Sequence, residues 1–119
     1  MTPSSLLPHR PGLLLIRETA ERIIRDFECF DINIIFSGNE EAAYNELVFQ
    51  LEPVFAKLLN ANRQKLMAIL YKIDISEQKL AKTSAKYPSV SKAAVIAHLV
   101  IEREFQKVVT RQMHRDGKL

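Results

Sequence analysis

Ala93-Ala-Val-Ile-Ala-His-Leu-Val-Ile101 carries a single polar side chain, His98, and its apolar residues leave no wet face at helical spacing. A helix that is apolar all round must be covered all round. In a chain of 119 residues this leaves two arrangements. Either the segment is the central helix of a bundle, or a second copy of the chain covers it, with Ile96 and Val100 as the candidate dimer face. Homodimerisation is expected on the second reading, since cyclic dimers are the commonest assemblies.

The same helix, starting at Ser89 or Ser91, is expected to continue to Met113. Ile101, Phe105 and Val108, with His98 and Val109, fall on one inward arc at 3.6 residues per turn. Arg103, Lys107, Arg111 and Arg115 follow one another at steps of four and form a basic ladder on the opposite side. Such a ladder is a candidate contact for a polyanion or an acidic protein partner. It is equally the solvated end of a helix whose cations oppose the dipole, with Glu104 beside Lys107 and Arg111. No aromatic residues interleave with it, which disfavours stacking of single-stranded bases, and no helix-turn-helix signal accompanies it.

Working back toward the N-terminus, Tyr87-Pro-Ser89 ends a shorter helix capped by Ser76. That helix turns Leu80 and Ala81 inward and Lys79, Lys82 and Lys86 to water. Leu66, Ile69, Leu70 and Ile73 define a further helix between Asn60-Ala-Asn62 and Asp74. Tyr44, Leu47, Leu51, Val54 and Leu58 mark a buried helix interrupted by Pro53, where a kink is expected because proline lacks the N–H of the helical ladder. Ser37-x-x-Glu40 has the form of a capping box at the start of that helix. Before it, Ile32, Ile34 and Phe36 alternate as in a strand, and Gly38 ends the run. With no ladder to join, this segment is an extended connector or pairs with something else. Tyr71-Lys-Ile-Asp-Ile75 echoes it weakly and offers one partner for a small ribbon. Ile16, Ala20, Ile23, Ile24 and Phe27 define the first helix, with Glu18–Arg22 and Glu21–Arg25 as pairs four apart. Residues 1–12, with three of the five prolines, read as a flexible leader.

The sequence therefore predicts an all-α bundle of four or five helices, one domain over residues 13–119, with a short extended segment near 32–36 and a long C-terminal helix. A composition of 47% hydrophobic and 26% charged residues is that of an ordinary globular chain. A single cysteine, Cys29, excludes an internal disulfide and every multi-cysteine metal scheme, and fits a reducing, cytoplasmic setting. No apolar run approaches the roughly 18 residues of a membrane span, so no membrane role is expected. The net charge of +3 is unevenly spread: residues 1–60 hold five Lys or Arg against nine Asp or Glu, and residues 61–119 hold twelve against five. Opposed faces of one bundle could satisfy that asymmetry, and so could a charged partner.

Catalytic patterns are lacking. His98 sits in a helix of a small bundle, as in histidine phosphotransfer domains, yet Leu99, Val100, Ile101, Glu102 and Arg103 follow it where those domains carry a Lys-Gly pair. A hydrogen-bonded core histidine is the expected role. The chain has no Glu-x-x-His motif, its three glycines are isolated, and Cys29 lies between Glu28 and Asp31, whose charges disfavour a thiolate. Tyr44, Phe49, Phe55 and Tyr71 are candidates to line an apolar ligand pocket, though aromatics at helical spacing usually form plain core. No cofactor or metal is expected.

Phe36-Ser-Gly-Asn39, Leu70-Tyr-Lys-Ile-Asp-Ile75 and Glu104 to Arg111, within Thr19 to Arg111, resemble small uncharacterised all-helical bacterial proteins. The resemblance implies a bacterial cytoplasmic chain and no activity. The leading expectation is a non-enzymatic interaction protein, an adaptor or regulator, that forms a homodimer and contacts an unknown protein partner. A nucleic-acid-associated accessory protein using the basic ladder is the alternative, and a small-molecule-binding bundle the third.

Overall fold

The computed structural model describes residues 13–117 and places in them five helices and no strand. They are α1 (Leu13–Glu28), α2 (Ala43–Ala61), α3 (Arg63–Ile73), α4 (Glu77–Lys86) and α5 (Lys92–Arg115), with a 3-10 turn at Glu40–Ala42 ahead of α2. The all-α class, the five helices and the long last helix agree with the sequence reading. The leader expected at 1–12 lies outside the described residues.

α5 is the hub, packing against α1, α2, α3 and α4. Ile96 and Val100 are both 0% exposed, inside a core that also holds Val95, Ala97, Leu99 and Ile101. The dimer face expected at these two residues is thereby corrected. Four other helices of the same chain are enough to surround an apolar helix, and nothing of Ile96 or Val100 remains to offer a second copy.

α1 buries Ile16, Ala20, Ile23 and Phe27 of the predicted stripe and half-buries Ile24, and Phe27 meets Phe55 of α2 edge-on at 6.0 Å between ring centres. Each buried Ile or Phe contributes roughly 1.5–3 kcal/mol of transfer free energy. α1 then stops at a Schellman motif. Ile32 N–H donates to Phe27 C=O at 3.1 Å, Asp31 N–H donates to Glu28 C=O at 3.0 Å, and Asp31 takes the left-handed conformation with φ 58°. α3 ends identically: Ile75 N–H bonds to Leu70 C=O at 2.9 Å, Asp74 N–H to Tyr71 C=O at 3.2 Å, and Asp74 has φ 71°. Both stops use an Asp-Ile pair, Asp31-Ile32 and Asp74-Ile75, which is offset from the echo read in sequence, where Asp74 falls opposite Asn33. The ribbon is excluded because Tyr71, Lys72 and Ile73 are helical.

Ile32 to Phe36 runs extended with the predicted alternation: Ile34 is buried, Ile32 and Phe36 are half-buried, and Asn33 and Ile35 face outward. It joins no ladder among the described residues. The Gln50 side chain of α2 substitutes for one, accepting from Ile35 N–H at 2.9 Å and donating to Ile35 C=O at 2.8 Å. The expected capping box is not formed. Asn39 caps the 3-10 turn by accepting from Glu41 N–H, Ser37 instead bonds Glu46 through its N–H at 3.0 Å and its hydroxyl, and Glu40 pairs with Arg17 at 3.5 Å.

α2 passes Pro53 as one helix. Asn62, Ser76 and Ser91 cap α3, α4 and α5, accepting from Lys65, Lys79 and Ala94 N–H at 3.0, 3.0 and 3.1 Å. α4 buries Leu80, whereas Ala81 faces water with its lysines.

Candidate functional site

The four ladder residues lie along α5 as their spacing requires, and their surroundings differ. Arg103 reaches Asp74 at 3.0 Å, Arg115 reaches Glu18 of α1 at 3.6 Å, and Lys107 sits 3.6 Å from Glu104. Arg111 is exposed and has no acid within 4.0 Å among the described residues. The ladder is therefore no continuous free track: Arg103 and Arg115 are paired at its ends, Lys107 is paired with Glu104 and largely covered, and Arg111 alone stands open. With Arg22 of α1, Thr110 and His114 the ladder lines a trough of about 530 Å³ between α1 and α5.

Under that trough lies Glu104, which is 0% exposed. It stands on the inward line Ile96, Val100, Glu104, Val108, each four residues after the last and all buried. Its Oε1 accepts from Arg22 Nε at 3.0 Å, while Oε2 is buried without a partner. Burial first, and then the neighbouring Asp26 carboxyl, push the Glu104 carboxyl up to about 7, against the pull of Lys107 and Arg22. Arg22 is thus committed across to α5 rather than to Glu18, and it also lies 4.0 Å from Asp26. Sequence reasoning missed both Glu104 and Arg22 as an inter-helix pair.

Charge asymmetry between the halves is only slightly relieved inside the molecule. Among the ion pairs of the described residues, Arg115–Glu18 alone joins a base of the second half to an acid of the first. The basic surface of α5 is left to face outward.

His98 fills the role expected of a core histidine. Its Nδ1 is hydrogen-bonded to the Tyr44 hydroxyl, with the two rings 5.4 Å apart. Burial holds the imidazole below its usual pKa and, with Glu102 nearby, raises that of the phenol, so the bond joins a neutral phenol to a neutral imidazole. The aromatic pocket does not form. Tyr44 and Phe55 are core, whereas Tyr71 is 88% and Phe49 82% exposed, so the four rings enclose no common space.

Phe49 instead lies beside Ile35, itself 65% exposed, over an open apolar groove of about 580 Å³. Its remaining walls are Phe36, Ser37, Asn45, Glu46 and Gln50. Glu46 is the one charged residue there, and its bonds from Ser37 hold its carboxyl below the usual range. In extended backbone successive residues present their N–H and C=O to opposite edges. Ile35 is taken by Gln50; on the other edge Ile32 N–H is bonded to Phe27 C=O and Ile34 is 2% exposed, so that edge lies against the molecule's own core.

Among the described residues no three His, Cys, Asp or Glu side chains gather to hold a metal ion, and no helix is long and apolar enough to cross a membrane. No family model, no curated protein and no solved structure matches the chain.

Proposed function

We propose that the chain is a non-enzymatic interaction protein that pairs with a second copy of itself through the apolar face formed by Phe49 and Ile35. The observation that carries this reading is the exposure of Phe49 and Ile35 side by side. Two large apolar side chains held side by side in water form a patch suited to burial against another apolar surface. A second copy fits because a two-fold contact sets the same patch of both copies face to face, apolar against apolar. Glu46 is the one charge on the rim, so each copy brings a single carboxylate to the contact. A reducing, cytoplasmic location accords with the exposed, unpaired Cys29.

Sedimentation equilibrium tests the proposal. The intact chain is expected to sediment at twice its 13.6 kDa, and Phe49→Lys to return it to monomer with an unchanged melting temperature. A wild-type monomer throughout the micromolar range would refute self-pairing. A dimer that survives Phe49→Lys would refute this face. The accessory-protein reading has less support, because the ladder is tethered at Arg103 and Arg115 and offers no long phosphate track.

A further inference from the structure

We propose that the trough between α1 and α5 is a binding site for a compact phosphoryl anion of the phosphate or pyrophosphate kind, held by Arg22, Lys107, Arg111 and His114. Lys107, Arg111 and His114 follow at steps of four and three and so neighbour one another on one helix face, while Arg22 closes the trough from α1. At the centre, Arg22 and Lys107 share the Glu104 carboxylate, Asp26 lies 4.0 Å from Arg22, and Arg111 has no acid beside it among the described residues. Three cations, Arg22, Lys107 and Arg111, stand against two carboxylates, Glu104 and Asp26, so the trough keeps a net positive charge, and Arg111 is the open group that an incoming phosphoryl oxygen would meet. Guanidinium groups suit such an anion because they donate two parallel hydrogen bonds.

The size of the ligand follows from the ends of the trough. Asp74 holds Arg103 and Glu18 holds Arg115, so the open cationic surface is short and cannot follow a polymer backbone along the helix. About 530 Å³ is the scale of a small-molecule site. Above pH about 7, where Glu104 is ionised, it competes with the anion for Arg22 and Lys107, so at pH 8 its neutral isostere should release both to the ligand.

Isothermal titration of the full chain with inorganic pyrophosphate at low ionic strength tests the site, with duplex and single-stranded DNA as the comparison arms. The expected result is saturable one-to-one binding of pyrophosphate. Arg111→Ala should weaken it by at least roughly tenfold, the loss of a charge-assisted hydrogen bond, at an unchanged melting temperature. Glu104→Gln should tighten it several-fold at pH 8. Absence of binding at millimolar pyrophosphate, or binding that Arg111→Ala leaves unaltered, would overturn the site. DNA binding tighter than pyrophosphate, with a log–log salt slope of about −3 to −4, would replace it with a phosphate track.

Discussion

Glu104 is the residue at which the sequence and the fold disagree most. Beside Lys107 and Arg111 in a basic stretch it reads as a surface acid, and only the i+4 line through Ile96, Val100 and Val108 signals that it turns inward. That line was legible, but a carboxylate on it is discounted unless a cation waits on the facing helix, and the position of Arg22 is a tertiary fact. A consequence is measurable. With its folded pKa raised to about 7, Glu104 keeps its proton in the native state over a range where the unfolded chain releases it. Its stabilising contribution is complete below pH about 4.5 and is lost as pH rises through about 7. His98, held neutral, has the opposite sign: protonation in the unfolded chain costs stability as pH falls below about 6.5. Denaturant unfolding of Glu104→Gln between about pH 5 and 8 should lack the alkaline decline of the wild type. At pH 8 the variant should be the more stable by on the order of 2 kcal/mol. A decline retained by the variant would assign the proton elsewhere. Asp31 offers a simpler test. It places a β-carbon in the left-handed region and a negative charge at the C-terminus of α1. Asp31→Gly should therefore raise stability by about 1 kcal/mol, and a loss in the same unfolding assay would contradict the motif assigned there.

At the scale of elements, periodicity located the helices, because 3.6-residue spacing is imposed by burial wherever the neighbours lie. It could not say who does the burying. The all-apolar stretch of α5 was equally consistent with its own chain and with a copy, and the choice depended on how α1 to α4 close around it. The extended segment was legible from its alternation, while its anchor, the Gln50 carboxamide on α2, was not, since a side chain replacing a strand leaves no pattern. The likeness of Ile32-Asn-Ile34 to Ile73-Asp-Ile75 is no pairing signal, since Ile73 closes α3 whereas Ile32 follows the stop of α1. Pro53 stands inside a single helix of 19 residues, so the apolar register runs through it and the chain does not divide into two helices there. Proline removes the donor to the Phe49 carbonyl, and its ring is exposed, so no packing is lost on replacing it. Pro53→Ala is expected to stabilise the chain by about 1–3 kcal/mol in chemical denaturation. No gain would show that the helix does not strain at this turn.

For the whole molecule, the fold separates two surfaces that the sequence had merged. The apolar half of α5 and its basic half lie on one helix, and the sequence assigned both to partner contact. Folding takes the first into the core and leaves the second facing outward, while the exposed apolar character moves to Phe49 and Ile35 on α2 and its preceding segment. These residues were invisible as a surface in sequence, because Phe49 falls outside the α2 stripe and Ile35 is the odd member of an alternating run. Self-pairing through this face is the central claim. Cys29, the one cysteine of the chain, is exposed just ahead of the 32–36 segment, so a spin label placed there reports on the pairing without any engineered site. Double electron–electron resonance on the labelled wild type should give one discrete label-to-label distance, abolished by Phe49→Lys. Absence of any intermolecular dipolar modulation in the wild type, or the same distance in the variant, would contradict it.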